Sequence, residues 1–325
     1  MKKKIGISLF LVICIGLGFY YFKNKKEKIP IQDVINQLND YHLECNMEMI
    51  QNDELKTYKI DVDYLKKETD FFRVQLYDKT LNQSQTIIKN QDGVYVYTPS
   101  LNQMYKFQSN WPFNSDKPYI YQTLLGYFEQ NNQIIKNKEG YQLSGPVTYV
   151  HDTSITNQEI TLDKNYYPQK IVLYDDDHIE KIKVEVTSFQ INCGSDESLY
   201  DITKLSKDAS TVSKEETFPM LPLEIFGSAL AKQEACLIGG VETYILQFTG
   251  DKNFTLVQSL PKATQDIQVI ETSANLIDLV GSVAFYENQE LKSFYPGMTC
   301  SIYSNDLTSQ EMIEVVSSLQ NEVLK

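Results

Sequence analysis

The residues able to do chemistry are few, and their spacing supports no reaction. The three histidines, His42, His151 and His178, stand beside no Gly-x-Ser-x-Gly elbow, so the nucleophile and base of a serine hydrolase are not laid out. Asp175, Asp176, Asp177 and His178 offer hard ligands for a divalent cation. They lack the glycine and the spaced acidic positions of a calcium loop, and read as a solvated hairpin turn. Cysteines occur at 14, 45, 193, 236 and 300, with no Cys-x-x-Cys spacing to hold zinc. Cys14 lies in an N-terminal apolar run. The other four permit two disulfides, Cys45 with Cys193 and Cys236 with Cys300, or four free thiols packed as small hydrophobes. Glycine-rich phosphate loops are absent, and Gly239-Gly240 reads as a turn. No catalytic residue, metal ligand or cofactor site is assigned.

What remains is apolar. Met47, Met49, Phe72, Val74, Val94, Val96, Leu124 and Phe128 form a stripe that points to one side, with Phe107 and Trp111, the only tryptophan, at its rim. Such a stripe lines a cavity for a hydrophobic ligand or fills a packed core. The flexible methionine pair suits an adaptable lining.

Alternation positions these residues. Leu43, Cys45, Met47 and Met49 alternate with Glu44, Asn46 and Glu48, and Tyr58 to Tyr64 and Phe72 to Leu76 repeat the pattern, which predicts antiparallel strands with one wet face. Val94–Tyr97 and Met104–Phe107 flank Thr-Pro-Ser-Leu-Asn and read as a hairpin. A helix follows, because Tyr121, Leu124, Leu125 and Phe128 recur at i, i+3, i+4 and i+7; Asn114 or Ser115 is its expected cap, and Pro118 its first turn. An earlier helix is predicted from Ile31 to Tyr41. Many strands with one apolar face and few helices cannot close as a sandwich. The fold class is therefore α+β and mainly antiparallel β: a curled half-barrel plugged by helices.

The ends and joints follow from composition. Ile5 to Phe22 is an uncharged run flanked by lysines, a signal peptide or single membrane span. Ile13 before Cys14 is not the small residue a lipoprotein signal needs, and no small-x-small site follows Phe22, so residues 1–28 are expected to stay as an anchor. Without them, 23 basic and 42 acidic residues leave a strongly negative surface that disfavours nucleic acid. Residues 29–200 make the half-barrel, and 201–217, polar and rich in Ser and Thr, a linker. Residues 218–325 make a small α+β domain with strands at Glu242–Phe248, Asn253–Gln258, Val280–Tyr286 and Gly297–Tyr303. A closing helix is expected from Ser309 to Leu324, with Thr308 and Glu311 as a capping box and Leu307 and Met312 as a staple.

SQTIIKNQDGVYVYTP running into YTPSLNQMYKFQSNWP resembles the lipoprotein-carrier (LolA-like) superfamily, in particular its membrane-attached sporulation and germination proteins of Firmicutes. IEKIKVEVTSF is similar to the last strands of that domain. FTGDKNFTLVQ and YSNDLTSQEMIEVVSSL are similar to the small C-terminal domain such proteins carry. The resemblance implies a half-barrel and a protein at the cell membrane, its bulk extracytoplasmic. It also implies a non-enzymatic role: docking a protein partner, a cell-wall or cortex-modifying enzyme, or sensing near the membrane. The alternative it implies is a carrier or chaperone for a lipid, acyl chain or lipidated peptide. An uncleaved anchor favours docking or sensing, since a tethered protein cannot ferry cargo between membranes.

Overall fold

The computed structural model describes residues 31–325 apart from 52–53, 80–81, 113–116, 131–133, 150–151, 206–217, 261–266, 280, 296–297 and 321–325. The expected anchor, residues 1–28, lies outside the described residues, as do the expected caps Asn114 and Ser115 and most of the expected linker. Among the described residues no helix is long and apolar enough to cross a membrane. The chain divides into two compact units, one ending at Gln37 and one beginning at Leu38. The described part of the first is helix α1 (Ile31–Gln37). Its apolar spacing continues to Tyr41, but the helix does not: Tyr41 already belongs to a strand, where it is fully buried.

The second unit is built on two sheets. The first eleven strands are β1 (Asp40–Gln51), β2 (Glu54–Leu65), β3 (Phe71–Asp78), β4 (Gln83–Asn90), β5 (Gly93–Thr98), β6 (Gln103–Phe107), β7 (Ile134–Lys136), β8 (Gly140–Pro146), β9 (Asn157–Asp163), β10 (Pro168–Tyr174) and β11 (Glu180–Ile191). They lie in the order β6-β5-β4-β3-β2-β1-β11-β10-β9-β8-β7, every neighbour antiparallel. Between β6 and β7 comes helix α2 (Tyr121–Gln130), three residues later than Pro118 suggested. A sheet of this width curls instead of staying flat. The hairpin at Thr98–Gln103 forms as the sequence predicts: a short 3-10 turn at Pro99–Leu101 ends on Asn102 with φ of 50°, the left-handed region asparagine tolerates.

The rest of the chain forms β12 (Leu221–Pro222), β13 (Ser228–Ile238), β14 (Val241–Gly250), β15 (Phe254–Leu260), β16 (Gln268–Thr272), β17 (Leu276–Leu279), β18 (Ser282–Glu287), β19 (Glu290–Tyr295), β20 (Met298–Tyr303), helix α3 (Ser309–Ser317) and β21 (Leu319–Gln320). Seven of these strands make the smaller sheet, β13-β14-β15-β20-β19-β18-β17. Of the other three, β12 and β21 pair with each other, while β16 pairs in parallel with β6 and becomes the twelfth strand of the large sheet. The capping box is present, with the Thr308 hydroxyl accepting from Glu311 N and the Glu311 carboxylate accepting from Thr308 N. Leu307, Met312, Val315 and Val316 bury against Leu246, Leu256, Leu291 and Ile302 of the same sheet. The helix expected as far as Leu324 stops at Ser317, because Leu319 and Gln320 turn into a two-stranded pairing with Pro222 and Leu221.

The four cysteines among the described residues, Cys45, Cys193, Cys236 and Cys300, are free. Cys45 faces Val186 across β1 and β11, whereas Cys193 lies seven residues further on, where its thiol donates to Asp40 at 3.1 Å. Cys236 sits on exposed β13 and Cys300 in the core on β20, with β14 and β15 between them. Three strand spacings are about 14 Å, well beyond the roughly 7 Å of Cα separation a disulfide spans. Burial pushes the Cys300 thiol pKa up to about 12 and the Cys45 thiol higher still, so both stay protonated hydrophobes.

Candidate functional site

The apolar stripe comes together on one face of the large sheet. Register fixes two of its rows. One runs Val96, Ile87, Val74, Val62, Leu43 and Phe189; the other runs Phe107, Val94, Lys89, Phe72, Tyr64 and Tyr41. Met47 and Met49 lie further along the same face of β1, beside Val184 and Ile182. Leu124 and Phe128, on α2, are buried as well. All ten candidate residues are buried, and none is more than 9% exposed.

The chain's own side chains occupy that face. Helix α2 is fastened at its first turn, where Tyr41 Oη donates to Gln122 Oε1 at 3.0 Å and Tyr121 Oη donates to the Tyr166 carbonyl at 2.9 Å. The Trp111 ring meets Phe72 edge-on at 6.3 Å and is 1% exposed. Phe107 and Trp111, expected at a rim, are therefore interior. For Phe107 the reason lies in the second sheet, which packs against β6. Phe107 meets Phe285 edge-on at 5.5 Å and Tyr105 meets Phe294 at 4.6 Å. Near Met49 the approach is close: a Cβ on Gly281 would come 2.7 Å from the Tyr58 hydroxyl and 3.1 Å from Met49 Cε, so those side-chain ends would have to shift.

Two buried ammonium groups belong to this region and were not among the candidates. Lys89 stands in the aromatic row between Phe72 and Val94, its Nζ 3.5 Å from the Asn110 carbonyl, and burial holds its pKa below the usual lysine range. Lys117 Nζ donates to the Leu279 carbonyl at 2.6 Å, tying the loop before α2 to the second sheet. Period-2 counting through Ile87 finds Lys89; Lys117 lies in a loop and carries no such signal.

The opposite face of the strands β3 to β6 is covered as well. Phe71, Ile88, Tyr95, Tyr97 and Met104 bury against Tyr200, Ile202 and Leu205, the segment that follows β11. Residues 201–205, expected to begin a linker, thus pack on the sheet, with Ile202–Lys204 in a short 3-10 turn. The Asp175–His178 stretch is a tight turn in which the Asp175 carboxylate accepts from Ile179 N at 2.8 Å and His178 adopts a φ of 63°.

The chain is similar over 99% of its length to the whole of "Sporulation protein YdcC" of Bacillus subtilis, at 26% identity. No family model matches it. Among solved structures it overlays on the MucA/MucB complex of Pseudomonas aeruginosa with a TM-score of 0.31 and 12% identity, covering 90% of this chain and 99% of that one. It overlays on a LolA superfamily protein of Nitrosomonas europaea with a TM-score of 0.29 and 9% identity, covering 52% and 93%. At those scores the superpositions are loose, and the likeness to a sporulation protein rests on the full-length relative. It agrees with the resemblance carried by the hairpin and the C-terminal segments.

Proposed function

We propose that this chain, similar along its whole length to a sporulation protein, acts outside the cytoplasm in sporulation as a non-enzymatic docking protein. In this reading residues 1–28 hold it at the membrane and its partner is a cell-wall-modifying enzyme. The observation that supports docking over carriage is the burial of all ten candidate lining residues under α2, Trp111 and the second sheet. A carrier needs room for an acyl chain between these groups, and opening it would separate Phe72 from Trp111 or Phe107 from Phe285. Residues 29–325, used as bait in sporulating cells and analysed by mass spectrometry for lipid and protein, test this. The expected result is a stoichiometric complex with a wall-modifying enzyme and no bound lipid. Recovery of about one acyl lipid per chain, without such an enzyme, would establish the carrier instead. Attachment is checked by the intact mass of the membrane fraction: a chain retaining residues 1–28 supports the anchor, and one starting at Cys14 with a diacylglyceryl group overturns it.

A further inference from the structure

Away from the half-barrel, a cavity of about 610 Å³ opens at one end of the small sheet, where the end of the β14–β15 hairpin, the β18–β19 turn and the loop from β20 to α3 converge. That volume is within the range of about 300–1,000 Å³ typical of small-molecule sites, but such sites are mostly apolar. This one is not. We propose that it binds an uncharged glycan, with a sugar ring stacked on Tyr303 and its hydroxyls met by the surrounding carboxamides.

Placement comes first. Gln247, Thr255 and Tyr303 are register neighbours across β14, β15 and β20, while the alternate residues Leu246, Leu256 and Ile302 face the core under α3. The row therefore lies on the face turned away from the helix, where Tyr303 is 41% exposed. An exposed tyrosine on such a row offers a flat π surface to the C–H face of a pyranose.

The chemistry around it is that of a hydroxyl reader. Gln247, Asn288, Gln289 and Asn305 line the cavity, and their side chains make no hydrogen bond to the described residues. A carboxamide both donates and accepts, as does a sugar hydroxyl, so each pairs in either direction. No lysine or arginine is in the lining, which leaves a phosphate or carboxylate without a counter-charge. The one carboxylate, Asp306, is already used: its Oδ2 accepts from Asn253 N at 2.9 Å and from Asn253 Nδ2 at 2.7 Å. Ser304 Oγ donates to the Asn253 carbonyl at 2.6 Å and accepts from Asp306 N at 3.0 Å, so this wall is fixed before any ligand arrives. A peptide fits less well. The strands beneath, β14, β15 and β20, are interior to the sheet, and a peptide finds no strand edge to extend there.

The test is calorimetric titration of the full chain with chitotetraose and, separately, cellotetraose. The expected result is saturable binding of at least one glycan, weakened about tenfold by Tyr303→Ala, the scale of one lost aromatic contact, and measurably by Gln247→Ala. Both side chains are exposed, and far-UV circular dichroism confirms the folded state of each variant; Gln247→Ala decides if Tyr303→Ala fails to fold. Absence of binding to both glycans at millimolar concentration would overturn the proposal. So would binding that neither substitution changes, or saturable binding of a tetrapeptide control with none of either glycan. The outcome is independent of the docking proposal, because the cavity is lined entirely by strands and turns of the small sheet and the loop into α3.

Discussion

The two sheets of the second unit bury themselves to different extents. Between β3 and β6 the large sheet is covered on both faces, by Trp111 and the small sheet on one side and by the segment around Tyr200 on the other. The small sheet is covered by α3 on one face and, only at β18 and β19, by β6 of the large sheet on the other, and its first strand, β13, is exposed from Ala229 onwards. In the large sheet a side chain's environment comes from other parts of the chain. In the small sheet, away from β18 and β19, it comes from the strand next door and from α3. The buried face of the large sheet is closed by the chain itself, while β13 and the turns of the small sheet are open to solvent.

The largest effect expected from breaking the doubly covered sheet is at its one tryptophan. Trp111→Ala removes a ring buried against Phe72 and should cost about 3–5 kcal/mol in urea unfolding. A loss below about 1 kcal/mol would mean that the ring plugs nothing. Phe285→Ala acts from the other sheet, where the ring touches both Tyr105 and Phe107; a loss near the lower end of the same range of about 3–5 kcal/mol is expected. The residue 218–325 fragment sharpens the contrast further. Its α3 core is internal, so it should melt cooperatively. It should also melt at a lower temperature than the whole chain, since β16 loses β6 and Phe285 and Phe294 lose their aromatic partners. A molten fragment would show that the small sheet depends on the large one.

Sequence periodicity is informative where burial is one-sided. Met47 and Met49 alternate with acidic and amide residues, and their strand is where the pattern puts it. Periodicity is silent on β13: Ser-Ala-Leu-Ala-Lys-Gln-Glu-Ala reads as a good helix former, but the Gly239-Gly240 turn pairs it with β14. Nor does a pattern within one segment reveal which distant segment will cover it. The rim role expected of Phe107 failed because Phe285 lies 178 positions further along the chain. The Tyr303 cavity was illegible for the same reason, since its lining comes from four separate segments and has no periodicity of its own.

A smaller effect tests how far α3 is a local element. Thr308→Ala removes the hydroxyl that accepts from Glu311 N, at a cost of about 1 kcal/mol. Because α3 packs on residues of its own sheet, that loss should appear in full in the 218–325 fragment as well as in the whole chain. Unequal losses, measured by denaturant titration of both, would show that the helix leans on something beyond its own sheet.

The smallest effect concerns the large sheet's wet face, and its sign is fixed by proton linkage. His42 on β1 lies between Asp63 Oδ1 at 2.7 Å from its Nδ1 and Glu44 Oε1 at 3.3 Å from its Nε2. Arg73 also binds Asp63, and Lys59 lies 3.6 Å from Glu44, so the cluster alternates in charge. The hydrogen bond to Asp63 is the main cause that raises the His42 pKa from 6.5 to about 9, with burial opposing it. Between those values the folded chain holds a proton that the unfolded chain releases, so stability must fall as pH rises through the window. The contribution is complete below pH 6.5 and lost above about 9. The imidazole is partly exposed, and solvent keeps the effect at the modest scale of surface ion pairs, up to about 1 kcal/mol. Comparing urea midpoints at pH 6 and pH 9.5 for the native chain and His42→Gln isolates it from every other titrating group. The native chain should lose more stability than the variant over that interval. If both lose the same amount, the Asp63–His42 pair is geometry without energetic consequence, and the wet face of the large sheet is as inert as the exposed strand β13.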